Sequence, residues 1–159
     1  SKNLAVEPLS RKLSSAYSTF LDIGKTTTPF SFFSKSPPRF LMQKRVESKG
    51  GDWGVTGGHP KSGETPIEGI ITEVKEELGL DFSKENFIEY DSGCDGKDCY
   101  KMYFVTKDIN INDITIQQEE LSEVRWFTMD ELKGMVNSGE LNEDQIACFN
   151  KVCNYLNNN

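Results

Sequence analysis

Histidine is nearly missing from this chain: His59 is the only one in 159 residues. A metal centre built from several imidazoles is therefore excluded. Long apolar runs are missing too, and no stretch approaches the roughly 20 residues that a membrane-spanning helix requires. Residues Ser1 to Thr19 are polar and mixed, so the start does not read as a signal peptide, and Ser in place of Met at position 1 points to a trimmed chain. Basic residues are outnumbered, 18 Lys and Arg against 25 Asp and Glu, for a formal net charge of −7. They are scattered apart from Arg39, Lys44 and Arg45, so no basic stripe offers itself to a long nucleic acid. Cysteine is sparse: Cys94 and Cys99, then Cys148 and Cys153, each pair five apart, which is not a zinc-knuckle spacing. Ordinary thiols in a reducing, cytoplasmic compartment are the simpler reading.

What is present is enough for one domain with a working core. Residues 1–25 form an N-terminal leader of uncertain role, although Leu9, Leu13, Tyr17 and Phe20 recur at helical spacing. Residues 26–159 read as a single domain. Thr26 to Pro38 reads mainly as loop, with a short strand possible around Phe30, Phe32 and Phe33. Strands are expected at Arg39–Val46, Trp53–Thr56, Phe87–Ser92, Tyr100–Thr106 and Val124–Phe127, with Gly93 to Cys99 as a connecting loop. Helices are expected at Thr128–Asn137, opened by a Thr128/Glu131 capping box, and at Asn142–Leu156. Strands mixed with a few helices argue for an α/β sandwich on a mixed sheet.

The clearest helix is Pro66 to Leu78. Thr65 stands at its N-cap, Pro66 at the first helical position, Glu68 completes a capping box, and Gly79 is placed as the C-terminal cap. At 100° per residue, Ile67, Ile70, Ile71, Val74 and Leu78 share an arc of roughly 100° that faces the core. Glu73, Glu76 and Glu77 share a second arc of similar width, and Gly69 points to their side, leaving room for a loop or ligand. A solvated helix surface tolerates such crowding, at about 0.2–0.5 kcal/mol per like-charge pair. A hard cation turns it to use, because Mg²⁺ and Mn²⁺ prefer oxygen ligands. A metal would also reconcile an acidic protein with an anionic, phosphate-bearing partner.

Gly58 to Leu80 resembles the Nudix box: Gly, five residues, Glu, seven residues, then Arg-Glu-aliphatic-any-Glu-Glu-any-Gly-aliphatic. Gly58, Glu64, Glu73, Val74, Glu76, Glu77, Gly79 and Leu80 match at the right spacing. Less sharply, Leu41 to Arg45 and Glu119 to Leu132 look like the strand before the box and the late strand and helix of such enzymes. The resemblance implies an α/β/α sandwich and a Mg²⁺- or Mn²⁺-dependent hydrolysis of a diphosphate linkage. Glu73, Glu76, Glu77 and a carbonyl of Gly57 or Gly58 would hold the metal. Glu76 or Glu73 would serve as base, with Glu120, then Glu119, as the acidic residue recruited from a later loop. Glu64 would buttress the loop and Gly79 would end the helix. Arg45, Lys44 and His59 are the substrate-binding candidates, although alternation along the strand lets only one of Lys44 and Arg45 face the site. The substrate is expected to be a small nucleotide, either a nucleoside diphosphate linked to another moiety or a nucleoside triphosphate, and the protein a monomer or homodimer.

The chain departs from the box at Thr72, where the family carries Arg. That Arg is understood to hold the catalytic glutamate, and Thr offers no charged fork in its place. Lys75 or Lys61 is left to substitute, or activity is weak or lost. Three other readings follow: a nucleotide-binding regulatory module without turnover, an isomerase of isopentenyl diphosphate, and an RNA-decapping enzyme. The isomerase is suggested by the approach from Trp53 to His59-Pro60 but needs a catalytic Cys and a His-rich metal site; the acidic charge counts against decapping.

Overall fold

A computed structural model describes residues 26–27, 30–35, 38–96 and 98–159. Among them seven strands form one sheet: β1 (Thr26–Thr27), β2 (Phe30–Lys35), β3 (Pro38–Arg45), β4 (Trp53–Gly54), β5 (Ile88–Asp95), β6 (Asp98–Thr106) and β7 (Leu121–Thr128). Strand β6 pairs antiparallel with β5 on one edge and parallel with β1 and β2 on the other. Strand β3 pairs antiparallel with β2 and β4 on one edge and with β7 on the other. The sheet is therefore mixed, as expected.

Period-two alternation in β3 and β6 splits the core into two layers. Leu41, Tyr103 and Val105 pack with Ile70, Val74 and Leu78 of helix α1 (Pro66–Leu78). Phe40, Met42 and Phe104 point the other way and pack with Leu132, Met135, Phe149 and Val152. Those residues belong to helices α2 (Met129–Asn137) and α3 (Glu143–Asn158). Phe40 stacks on Phe149 with ring centroids 4.1 Å apart, which ties β3 to α3. Helices thus cover both faces and complete the α/β/α sandwich.

The boundaries of α1 are those the sequence predicts, and its capping box is formed in full. The Thr128/Glu131 box opens α2 in the same way. The short strand offered at Phe30, Phe32 and Phe33 forms as β2, and Thr26–Thr27, expected as loop, adds β1, because these residues find open edges on β6 and β3. The expected Gly93–Cys99 loop is a continuation of the β5–β6 hairpin, with Cys94 directly opposite Cys99. Those two cysteines are joined in a disulfide, which corrects the expectation of four free thiols; Cys148 and Cys153 are free. The helix expected at Leu9 to Phe20 lies outside the described residues. No helix among the described residues is long and apolar enough to cross a membrane.

Candidate active site on helix α1

Helix α1 buries Ile70, Val74 and Leu78 against the sheet, and this fixes its rotation. The glutamates then emerge along its flank. Glu73 and Glu77 are partly buried beside the sheet, while Glu76 is exposed. Glu73 and Glu77 are four apart and stack on the same side of the helix. Among the described residues no three His, Cys, Asp or Glu side chains converge tightly enough to form a ready-made metal centre. The fold brings the glutamates to one flank without gathering them at a point.

Their electrostatics are nonetheless coupled. Burial, followed by the charges of Glu77 and Glu76, pushes the Glu73 carboxyl up to about 7, against the opposing pull of Lys61. Burial also raises Glu77, opposed chiefly by the amide of Gln43. Glu120 adds a like charge that raises both. This all-oxygen, mutually repelling donor set fits a hard divalent cation, which would relieve the repulsion.

The loop before α1 approaches closely. A Cβ on Gly58 would lie 2.7 Å from Cγ of Glu73. Gly69 is buried under the same loop, and a Cβ there would lie 3.0 Å from Cα of Pro60. The room that the sequence predicted at Gly69 is thus filled by the loop itself. Glu64 turns back on this loop and accepts a hydrogen bond from the backbone N–H of Lys61 at 2.9 Å. His59 is partly buried between Gly58 and Pro60. Gly79 closes the helix at φ 67°, with its N–H donating to the Lys75 carbonyl.

Glu120 comes to the site through the backbone. The N–H of Gln117 donates to the Glu77 carbonyl at 2.9 Å, and that of Thr115 to the Leu78 carbonyl at 3.0 Å. These bonds satisfy carbonyls that a helix end leaves open, and they fasten the 115–121 segment against α1. The Val46 N–H donates to the Glu120 carbonyl at 3.0 Å. The side chain of Glu120 is ion-paired with Lys49. Glu119, the second choice from that loop, is exposed.

The two basic residues of β3 separate. Arg45 lies near enough for its charge to favour ionised Glu77. Lys44 is opposite Trp53, and Trp53 packs edge-on against Phe127 on the α2/α3 side. Lys44 is therefore on the face of the sheet away from α1, so of the two it is Arg45 that lies on the side of the glutamates.

Thr72 makes no contact that replaces the expected Arg. Its hydroxyl donates to the Glu68 carbonyl at 3.1 Å, one turn back along the helix. Lys75 pairs with Asp81 at 3.0 Å, and Lys61 lies 3.7 Å from Glu76. The contact that sequence reading missed comes from the sheet: Gln43 Nε2 donates to Glu77 Oε2 at 2.9 Å, and the hydroxyl of buried Thr56 donates to Gln43 Oε1 at 2.7 Å. The available signal was a polar residue in the otherwise apolar run Phe40–Leu41–Met42–Gln43, on the face that Leu41 presents to α1.

The NUDIX domain model matches residues 31–147. The chain belongs to the Nudix family. It is 33% identical over 111 residues to an uncharacterized Nudix hydrolase of Listeria innocua, covering 64% of this chain and 63% of that relative, just under two thirds of its length. Nudix structures share the fold at low identity. The NUDIX domain of Shewanella oneidensis NrtR, crystallised with ADP ribose, superposes with a TM-score of 0.65 at 15% identity, over 89% of this chain and 97% of that one. A C. elegans Ap4A hydrolase binary complex gives 0.61 at 15% identity, over 85% and 99%.

Proposed function

We propose that this Nudix protein hydrolyses a P–O–P linkage in a small nucleotide, either a nucleoside diphosphate carrying another moiety or a nucleoside triphosphate, with Mg²⁺ or Mn²⁺. The observation that carries the reading is the fastening of the Glu120 loop to the helix end that bears Glu73, Glu76 and Glu77. It brings a fourth carboxylate, from 43 residues beyond Glu77, to a flank already crowded with negative charge.

Glu73, Glu76 and Glu77 would hold the cation, with the Gly58 carbonyl beside them. Bound there, the ion supplies polarisation of the phosphate and activation of water. Glu73, Glu76 or Glu120 takes the proton from the attacking water. Arg45 and His59 bind and orient the phosphates. Both named structural relatives were crystallised with ligands or are named for a nucleotide substrate, which supports the nucleotide class for this chain.

The test is a panel of ADP-ribose, nucleotide sugars, NADH, dinucleoside polyphosphates and nucleoside triphosphates, assayed with Mg²⁺ or Mn²⁺. Metal-dependent turnover that is lost in Glu76→Gln and Glu77→Gln supports the reading. A second reading, a nucleotide-binding module without turnover, is favoured by one observation: Thr72 bonds to its own helix and not to an acidic residue of the site. Tight nucleotide binding with no product from any member of the panel would identify it.

A further inference from the structure

We infer that Gln43 and Thr56 form a neutral relay that orients Glu77: the Thr56 hydroxyl fixes the Gln43 amide, and the amide holds Oε2 of Glu77, so that Oε1 is the oxygen presented to a divalent cation. The inference rests on the hydrolase reading above and adds two positioning residues to it.

The relay is built from buried parts. Gln43 is 8% exposed and Thr56 is 4% exposed. A primary amide in such a place is costly unless both of its ends are bonded. Here the two ends are met by different partners, Thr56 at Oε1 and Glu77 at Nε2. The Glu77 carboxylate can only accept, so the NH₂ end of the amide faces it and Oε1 faces Thr56, whose hydroxyl donates. Thr56 thus holds the far end of the amide in place.

The three residues come from three separate segments. Gln43 is on β3, opposite Gly54 of β4, and Thr56 follows β4 by two residues. Glu77 arrives 34 positions after Gln43, in the last turn of α1. That turn is itself held by the Gln117 bond to the Glu77 carbonyl. Backbone and carboxylate of Glu77 are thus each fixed from outside the helix.

A neutral donor has a consequence that a charged one lacks. Groups that bond to a metal-ligating carboxylate orient it and tune its affinity. An Arg in that role brings positive charge toward the ion's position. Gln43 orients Glu77 without adding charge; Thr72 bonds to its own helix and Lys75 pairs with Asp81, while Lys61 lies by Glu76 and Arg45 acts on Glu77 through its charge alone.

The experiment is a Mn²⁺ titration of the full chain, reading free Mn²⁺ by electron paramagnetic resonance, beside turnover on the substrate panel. Thr56→Val removes the hydroxyl at nearly constant volume, Thr56→Ser keeps it, and Gln43→Met removes the donor if the valine variant folds poorly. Thr56→Val and Gln43→Met are each expected to weaken Mn²⁺ binding roughly 10-fold and to lower kcat with little change in KM. Thr56→Ser is expected to stay near wild type. In a Glu77→Gln background, Thr56→Val is expected to add nothing, which a merely structural role for Thr56 does not predict. Unchanged Mn²⁺ affinity in Thr56→Val and Gln43→Met, with Glu77→Gln still impaired, overturns the relay alone. Equal losses with and without Glu77 also overturn it. A wild-type protein that neither binds Mn²⁺ nor turns over any nucleotide overturns the hydrolase reading, and the relay with it.

Discussion

Gly58 and Glu73 are in contact so close that no side chain fits between them: a Cβ on the glycine would sit 2.7 Å from Cγ of the glutamate. The closest approach is to the stem of Glu73, with Cδ at 3.1 Å and Oε1 at 3.3 Å behind it, so the whole carboxylate must move. Gly58→Ala is expected to lower kcat/KM by about 100-fold, the scale of a misplacement near 1 Å. Steady-state kinetics beside a melting curve checks this. A variant that melts normally and retains full activity contradicts the contact's role.

Crowding at Glu73 also predicts a pH-dependent stability. Its folded-state carboxyl is raised from the ordinary 4.5 to about 7. A raised value means that the neutral form is favoured in the fold. The associated stability is fully present below the ordinary value and is lost as pH rises through about 7. With EDTA present, the wild-type melting temperature is expected to fall between pH 5 and pH 8 more than that of Glu73→Gln. At pH 8 the variant is expected to melt higher. Scanning fluorimetry at the two pH values decides it; parallel behaviour of the two proteins contradicts the crowding.

Glu120 and Lys49 form a partly exposed pair whose worth to stability is small, about 0–1 kcal/mol. Lys49→Met is therefore expected to leave the melting temperature within a few degrees of wild type. If Glu120 takes the proton from water, Glu120→Gln lowers kcat by about 100-fold or more with KM little changed. Equal kcat in wild type and Glu120→Gln removes Glu120 from that role and leaves Glu73 and Glu76.

The Cys94–Cys99 disulfide closes a very short loop at a hairpin tip that is already paired in register. Chain-entropy arguments give it at most about 2 kcal/mol. Reduction, or the Cys94→Ser/Cys99→Ser double variant, is expected to lower the melting temperature by roughly 5 °C and to leave turnover intact. Loss of turnover on reduction would tie the hairpin to the active site.

Much of this was legible in the chain. Thr65, Pro66, Glu68 and Gly79 are local signals, and they bounded α1 without help from tertiary structure. The rotation of α1 followed from its apolar stripe, and with it the flank on which the glutamates emerge. Less was legible where partners decide. Ser122 and Glu123 are exposed and polar, yet they extend β7, because Glu123 lies opposite Lys44 on β3. Gly93 and Asp95 read as turn residues, but pairing with β6 keeps them extended. Gln43 escaped notice because its partners, Thr56 and Glu77, lie 13 and 34 positions away. The role of Lys44 was left undecided by sequence for a related reason: only the register with Trp53 reveals its face.

The central claim, that the glutamate flank of α1 directs water onto a P–O–P bond, is tested most directly by phosphorus NMR of the nucleotide panel in heavy-oxygen water. With Mg²⁺ or Mn²⁺ present, one phosphomonoester product is expected to carry the heavy oxygen, and the signal is expected to vanish with EDTA and in Glu77→Gln. Intact phosphoanhydrides throughout the panel, or cleavage that survives both EDTA and Glu77→Gln, would contradict it.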